Sequence, residues 1–333
     1  MSDNINSNED NNKNIHVNAV INESALANSI DNAVKSIIKE RRRGRFGAFF
    51  AKLVILIIIG LVIIGLVETN SPSSVTNSTS NSTSHVAVVS INGEISANSA
   101  ANAELINNSL KNAFENQNSV AVILKINSPG GSPVQAGMVY DEIKRLRKIY
   151  PKKVIYAVIE DICASGGYYI ASATDFIYAD KASIVGSIGV IMEGFGFDKA
   201  IEKFGVQRRL YTSGENKALL DPFSAENPAQ TAYVKHMITT IHQQFIKAVK
   251  DGRGKRLKEE ANTFSGLIWT GEEAAKNGII DGLSSTENLS RVVIKNDNLV
   301  DYTVQEGLAN RLAKQFGASI GTSIANKIDL KIK

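Results

Sequence analysis

The sequence predicts an α/β fold with a largely parallel sheet, and two observations lead to this prediction. Short apolar runs alternate with amphipathic helical segments along residues 86–285. Two of the runs, 119–126 and 153–159, are apolar almost throughout, as in strands covered on both faces. The helical segment between them is long enough for the right-handed crossover that joins parallel strands.

The elements of this domain are predicted in chain order from their periodicity. A strand at 86–91 and a helix at 100–116 precede the first buried run, and a helix at 134–150 follows it. After the second buried run, further short apolar runs occur at 175–180, 183–192 and 206–212, and longer helices occupy about 225–249. Strands that alternate with helices at this spacing are typical of βαβ units.

Composition divides the whole chain into five regions. Residues 1–45 form an Asn- and Asp-rich tail with a basic end, which we expect to be disordered, and residues 46–67 are almost entirely apolar. Residues 68–85 are a Ser/Thr/Asn-rich tether that cannot bury a core. The folded domain is predicted at 86–285, followed by a C-terminal tail at 286–333 whose apolar residues recur every four positions. In a helix a step of four winds around the axis, so such a helical tail has no single apolar face. The tail either packs loosely on the domain or forms an oligomer or membrane-surface contact.

The apolar region 46–67 is predicted to be a single transmembrane helix. Its length corresponds to about 33 Å of helix, and its one charge, Lys52, lies near an end. The preceding sequence "KERRRGR" places the N-terminus in the cytoplasm and the C-terminal domain on the other side of the membrane. A cleaved signal peptide is disfavoured by the forty-odd preceding residues and by the length of the span.

Charge and cysteine content exclude some classes of function. The net charge of +4 arises partly near the N-terminus, and no basic stripe is interleaved with aromatic residues, so we expect no nucleic-acid partner. The only cysteine, Cys163, excludes an internal disulfide and a paired-cysteine metal site.

Two predicted strands are followed by unusual loops, where functional loops of open parallel sheets gather. The first, "INSPGGS", contains Gly131 and allows backbone amides to approach a ligand, although it also suits a tight turn. The second, "EDICASGGYYIASATD", contains Ser165 and Gly166 at the start of a predicted helix. Ser165 is either a nucleophile or the N-cap of that helix, and the stretch alone does not decide between them.

A serine nucleophile needs a base, and the histidines are poorly placed. His16 lies in the cytoplasmic tail, His85 in the tether, and His236 and His242 in a helical region without a nearby orienting Asp. A lysine can act instead if an apolar site keeps it neutral. Lys217, in the loop "YTSGENKALLDPFS" after the run 206–212, is a candidate, but exposed loop lysines are common.

Five blocks together resemble the signal peptide peptidase A family, in its short single-domain bacterial form of peptidase family S49. They are "INSPGG", "ASGGYYIASA", "ADKASIVGSIGVI", "YTSGENKALLDPF" and "WTGEEAAKNGIIDGL", in the family's order, over roughly residues 86–285. The resemblance implies a Clp-protease/crotonase-like fold of repeated ββα units. It also implies a membrane-anchored serine endopeptidase with a Ser-Lys dyad and no metal or cofactor.

The resemblance assigns roles to five residues. Ser165 corresponds to the nucleophile and Lys217 to its general base. Ser187, in "VGSIGV", matches a serine that orients the lysine. Gly131 and Gly166 correspond to the donors of the oxyanion hole.

Two residues depart from the family pattern. Asn216 stands where a Tyr is common, and Cys163 replaces a small residue two positions before Ser165. We interpret Cys163 as a packed thiol, because no activating partner is identifiable. The resemblance further implies a homo-oligomeric ring, in which some family members complete the dyad between neighbours, so the sequence leaves open which chain's Lys217 meets Ser165.

The expected location is the bacterial plasma membrane, and the expected substrates are cleaved signal peptides or other hydrophobic peptides. Two other functions are compatible with parts of the sequence. One is a catalytically silent, membrane-tethered binding or assembly protein. The other is a crotonase-type acyl-CoA enzyme, which the membrane anchor and the Ser/Lys blocks disfavour.

Overall fold

The computed structural model describes residues 28, 31–32, 52–57 and 83–305. The chain divides into two units, and the first consists of Met1–Asn77 with Leu308–Lys333, whose described residues are helical. Most of the predicted anchor and the end of the C-terminal tail therefore lie outside the described residues. Among the helices that are described, none is both long and apolar enough to cross a membrane.

The second unit, Ser78–Gly307, contains an eight-stranded sheet. Its strands are β1 (His85–Asn92), β2 (Ser119–Ser128), β3 (Ile155–Ala164), β4 (Phe176–Ala179), β5 (Ile184–Gly186), β6 (Ile268–Thr270), β7 (Gly282–Leu283) and β8 (Leu299–Asp301). The order is β6-β5-β3-β2-β1-β8, while β4 pairs with β3 and with β7. Of the described pairs, β5 with β6 is antiparallel and the others are parallel. The predicted α/β fold with a largely parallel sheet is confirmed.

Helices connect these strands, and several of them begin at a side chain that caps the first turn. They are α1 (Ala103–Glu115), α2 (Pro133–Ile149), α3 (Gly166–Ala171), α4 (Asp198–Lys203), α5 (Pro228–Arg253), α6 (Gly271–Lys276) and α7 (Thr286–Asn288), with a 3₁₀ turn at Gly254–Arg256 and a π-helical turn at Leu289–Ile294. The side chains of Asn102, Ser132 and Asn227 accept hydrogen bonds from the first turns of α1, α2 and α5. Proline at the first position of α2 and of α5 fixes a helical φ there.

Both faces of the central strands are buried, which explains their continuous apolar sequence. Alternate residues of β1 point to opposite faces: Val89 and Ile91 join the larger core, and Val86 and Val88 join a smaller one. The larger core is completed by helices such as α1, α2 and α5, and Leu289 contributes to the smaller one. The sheet is thereby a rigid frame for the loops at its carboxyl edge.

Three boundaries differ from the sequence prediction. The first strand begins at His85, one residue inside the predicted tether, and the sheet continues past residue 285 to β8, which pairs with β1. β3 ends at Ala164 and not at 159, because its second half pairs with β5. The prediction of a strand at 206–212 was wrong: the described chain has no strand between β5 and β6, and β6 occupies the outer edge of β5.

Candidate functional site

Three neighbouring strands bring the predicted site residues to one edge of the sheet. The register pairs Ser128 of β2 with Cys163 of β3, and Ala164 of β3 with Gly186 of β5. Because parallel strands end at the same edge, the residues that follow these three ends are neighbours in space. These following segments carry the candidate oxyanion donors, Ser165 and Ser187.

Ser165 forms a sharp, strained turn between β3 and α3. Its backbone angles are φ 50° and ψ −122°, a conformation that L-residues rarely adopt and that costs about 1–3 kcal/mol. Its N–H donates to the Gly186 carbonyl at 2.8 Å, and its carbonyl accepts from the Tyr169 N–H at 2.9 Å. The side chain makes no capping hydrogen bond, so the N-cap interpretation loses its main support. Strand, strained serine and helix in this order also form the turn that exposes a nucleophile in α/β-hydrolases.

The amides of Gly131 and Gly166 lie close together beside Ser165. A Cβ placed on Gly166 would lie 3.3 Å from the Gly131 nitrogen, and one placed on Gly130 would lie 2.7 Å from the Cβ of Ser165. The loop after β2 is therefore in close contact with the turn at Ser165. Within the described residues neither amide donates a hydrogen bond, so both are available to an oxygen atom that gains negative charge.

Ser187 lies in a second strained turn, directly after β5. Its φ is 51°, and the preceding Gly186 has a φ of 114°. The Ser187 N–H donates to the Leu267 carbonyl at 2.8 Å, which ties the turn to the residues before β6. A Cβ on Gly186 would lie 2.5 Å from the ring of Trp269, so the ring packs directly on this glycine. Ser165 and Ser187 are thus adjacent through the carbonyl of Gly186.

The described part of the chain does not enclose Lys217. It lies in a turn, where its N–H donates to the Gly214 carbonyl at 3.1 Å, and its side chain is exposed. In the described part of the chain its ammonium group has no hydrogen-bond or ion-pair partner, and no hydrogen bond joins it to Ser165. The apolar surroundings that a neutral lysine needs are absent from a single copy of the described chain.

The segment around Lys217, residues 190–227, which we call the arm, exposes an unusual number of apolar side chains. They include Ile191 (85% exposed), Phe195 (81%), Phe204 (84%) and Tyr211 (88%). Clustered exposure of large apolar residues marks surfaces that contact another molecule. The arm thus has the character of an interaction surface.

No histidine of the described chain hydrogen-bonds to Ser165. His85 is buried in β1, and its Nε2 lies 2.9 Å from the Tyr302 hydroxyl, so its assignment to the tether was wrong. His236 is exposed on α5. His16, which the sequence analysis placed in the cytoplasmic tail, lies outside the described residues. This arrangement agrees with the poor sequence support for a Ser-His-Asp triad.

His242 has a contact that sequence reasoning missed. Its Nε2 lies 3.0 Å from the carbonyl oxygen of Ile188, the residue after Ser187. The sequence contained a signal for it: the apolar residues Phe245 and Val249 follow His242 at spacings of three and seven, which places all three on one face of a helix. Phe245 and Val249 are buried in the structure. A histidine on the buried face of a helix points towards the domain and not towards solvent.

Cys163, whose thiol is the other side chain considered as a nucleophile, is fully buried at the end of β3. Burial raises the pKa of this thiol far above its usual range, so it stays protonated and unreactive. The described residues contain no cluster of His, Cys, Asp and Glu that could hold a metal ion.

Comparison with known proteins gives one family and several relatives. The model of peptidase family S49 matches residues 147–300. A Na(+)/H(+) antiporter NhaA of Brucella abortus is 46% identical over 182 residues, which are 55% of this chain and 25% of that protein. The "Putative signal peptide peptidase SppA" of Enterococcus faecium is 28% identical over 225 residues, 64% of this chain and 65% of that protein.

A third relative, protease 4 of Haemophilus influenzae, is 31% identical over 222 residues, covering 65% of this chain and 35% of that protein. The chain spans about a quarter of the length of the first relatives it matches, two antiporters from Brucella. The S49 match includes the strained turn at Ser165, the turn at Ser187 and Lys217. Residues 147–300 match peptidase family S49, and the relatives named signal peptide peptidase SppA and protease 4 support placing this chain in the signal peptide peptidase A family.

Proposed function

We propose that this protein is a serine endopeptidase with a Ser-Lys dyad, in which Ser165 is the nucleophile and Lys217 the general base. The observation that carries the proposal is the strained turn at Ser165, beside which lie two amides that donate no hydrogen bond to any described residue. Strain of this kind is retained where it serves a function, and the free amides are what acyl transfer requires. We also propose that the sheet belongs to the Clp-protease/crotonase-like fold of repeated ββα units.

The proposed reaction is acyl transfer through a covalent intermediate. The neutral amine of Lys217 accepts the proton of the Ser165 hydroxyl while Oγ attacks the peptide carbonyl carbon. The amides of Gly131 and Gly166 donate to the resulting oxyanion. As the tetrahedral intermediate collapses, the Lys217 ammonium returns the proton to the leaving amine, and an ester on Ser165 remains. Lys217 then deprotonates a water that attacks the ester carbon, and its ammonium returns this proton to Oγ of Ser165 as the acid product leaves. Ser187 orients the lysine in both steps.

A neighbouring copy of the chain is proposed to complete this site. Lys217 is exposed in a single chain, and a neutral lysine needs desolvation, which an apolar surface of another copy would provide. The exposed apolar residues of the arm support such a contact. In a homo-oligomeric ring of this kind, Lys217 of one chain would meet Ser165 of the next.

The proposed substrates are cleaved signal peptides and other hydrophobic peptides at the bacterial plasma membrane. The apolar segment 46–67 would anchor the domain beside the membrane where such peptides accumulate, with the catalytic domain outside the cytoplasm. An extended peptide pairing with a strand would be bound through its main chain, and small residues at the site would favour small aliphatic side chains.

Other functions have less support. A silent binding protein would not need the strain at Ser165, and a crotonase-type acyl-CoA enzyme would not need the anchor or the Ser and Lys blocks. Na(+)/H(+) antiport, the activity in the name of the Brucella relatives, has little support, because only about a quarter of their length matches this chain.

The proposal is tested with the full chain in detergent, assayed on casein and on an apolar fluorogenic peptide. Ser165→Ala and Lys217→Ala should each lower kcat by about a thousandfold or more. Lys203→Ala, which removes another exposed lysine of the arm, is the matched control and should retain wild-type activity. Wild-type activity that survives both dyad substitutions would rule the proposal out.

A further inference from the structure

His242 connects a buried helix face to the strained turn after β5. It lies on α5 at the same face as Phe245 and Val249, which are buried in the main core, so its backbone is held firmly. Its Nε2 lies 3.0 Å from the carbonyl oxygen of Ile188. A carbonyl oxygen only accepts hydrogen bonds, so Nε2 carries the proton and donates it.

The turn that His242 contacts is held from several directions. The Gly186 carbonyl accepts from the N–H of Ser165, and the N–H of Ser187 donates to the Leu267 carbonyl. His242 adds a hydrogen bond at the next carbonyl, that of Ile188, whose side chain is fully buried. These bonds keep Ser187 at a φ of 51°, which an unrestrained serine would leave.

We propose that His242 is a positioning residue for acyl transfer, acting through the Ile188 carbonyl on the turn that carries Ser187. This inference rests on the proposed function, because the turn matters only if Ser187 orients the base and Ser165 is the nucleophile. Loss of the hydrogen bond frees the Ile188 carbonyl and lets the turn relax towards ordinary φ values. That relaxation moves the Ser187 hydroxyl and the Gly186 carbonyl to which the Ser165 amide is bound.

The test compares side chains at position 242 that differ in donor capacity. His242→Gln retains an N–H donor near the place of Nε2, while His242→Phe and His242→Met lack one. Phe retains an aromatic ring like that of His, and Met matches the length of Gln. If one of these two donor-free variants fails to fold, the other still tests the inference. His236→Phe, at an exposed position of the same helix, is the matched control.

The full chain is assayed for kcat and KM on the fluorogenic peptide and for its rate of acylation by a fluorophosphonate. We expect His242→Phe and His242→Met to lower kcat and the acylation rate about tenfold with KM within about twofold, the usual effect of one lost hydrogen bond. His242→Gln should stay within about threefold of wild type, and His236→Phe should be unchanged. Trp269, the only tryptophan, packs on Gly186, so its emission should shift in the Phe and Met variants but not in Gln.

Two results would overturn the inference. One is a His242→Gln variant as impaired as the Phe and Met variants, and the other is Phe and Met variants with wild-type kcat. If activity still depends on Ser165, either result rejects only the role of His242 and leaves the proposed function standing. Activity that does not depend on Ser165 rejects the proposed function, and the positioning role with it.

Discussion

At the scale of single residues, strain is concentrated around Gly186. Ser165 and Ser187, which lie on either side of its carbonyl, both have positive φ. Neither residue is glycine or asparagine, the residues that tolerate this conformation best. The surrounding hydrogen bonds therefore stabilise a conformation that the local sequence disfavours, as expected where a hydroxyl must be held in one position.

This strain predicts the order of stability of two variants at position 165. Ser165→Gly should be about 1 kcal/mol more stable than Ser165→Ala, because glycine adopts a φ of 50° without a steric penalty. Urea denaturation measures the difference. At Ser172, whose φ is −62°, the same pair should show the opposite order. Equal stabilities at position 165 would mean that the turn is not strained in solution.

A side chain at position 131, on the other side of the site, is predicted to lower the stability of the protein. A Cβ at this position would lie 2.2 Å from the Ile95 carbonyl oxygen, and its φ is +144°. Gly131→Ala should therefore lower the free energy of unfolding by about 2–3 kcal/mol and reduce activity, because the loop must move away from Ser165. Gly137→Ala, within α2 and with open space around it, should instead raise stability by about 0.5–1 kcal/mol. A neutral Gly131→Ala variant would contradict the loop geometry.

At the scale of elements, a buried ion pair joins α5 to the loop before β7. Asp281 accepts two hydrogen bonds from Arg253, whose side chain is 1% exposed, and another from Arg256. It also accepts from the N–H of Ile177 at the start of β4. One carboxylate therefore connects a helix and two neighbouring strands of the sheet.

The pKa of Asp281 predicts how stability changes with pH. Desolvation alone would raise the pKa, but the hydrogen bond and charge of Arg253, the Ile177 amide and the charge of Arg256 outweigh it, so the pKa lies below its ordinary value of 3.8. Because the folded-state pKa is lowered, the stabilisation is complete above the unfolded-state pKa and is lost as the pH falls through the folded-state value.

Asp281→Asn should lower the free energy of unfolding at pH 7 by about 3 kcal/mol, since it leaves a buried arginine without its counter-ion. The difference from wild type should shrink as the pH is lowered from about 5 towards 3. Thermal unfolding at several pH values measures this. A difference that stays constant over this range would show that the charge of Asp281 does not contribute.

The sequence predicted some elements well because their periodicity is strong. The apolar run 119–126 identified β2, and "ASGGYYIASA" located Ser165 at the start of a helix. The positive φ values of Ser165 and Ser187 could not be predicted, because they depend on hydrogen bonds between β3, β5 and β6. The run 206–212 was misread because local apolar content does not reveal that β6 already occupies the sheet edge.

At the scale of the whole molecule, the exposed arm carries both Lys217 and large apolar side chains. The sequence identified Lys217 as the candidate base through a motif, but the residues next to it in the chain do not show whether its surroundings in the folded protein are apolar. In one chain Lys217 is exposed, and so are large apolar residues of the arm such as Phe204 and Tyr211. A second copy that covers the arm would provide both the desolvation and the missing contact.

This account predicts that two inactive variants restore activity together. When Ser165→Ala and Lys217→Ala chains are unfolded, mixed in equal amounts and reassembled, some sites receive an intact Ser165 from one chain and an intact Lys217 from the next. With random assembly, roughly a quarter of wild-type activity should return. Each variant reassembled alone is the control and should remain inactive. A mixture without activity would show that the dyad forms within one chain.

The most direct measurement is the site of covalent labelling by a fluorophosphonate. The serine oxygen attacks phosphorus and fluoride leaves, so the adduct stays on the nucleophile and can be located by peptide mass mapping. We predict one adduct on Ser165 in the full chain, with labelling slowed by about a thousandfold in Lys217→Ala. An adduct on any other residue, or labelling of Ser165 at an unchanged rate without Lys217, would contradict the Ser-Lys dyad.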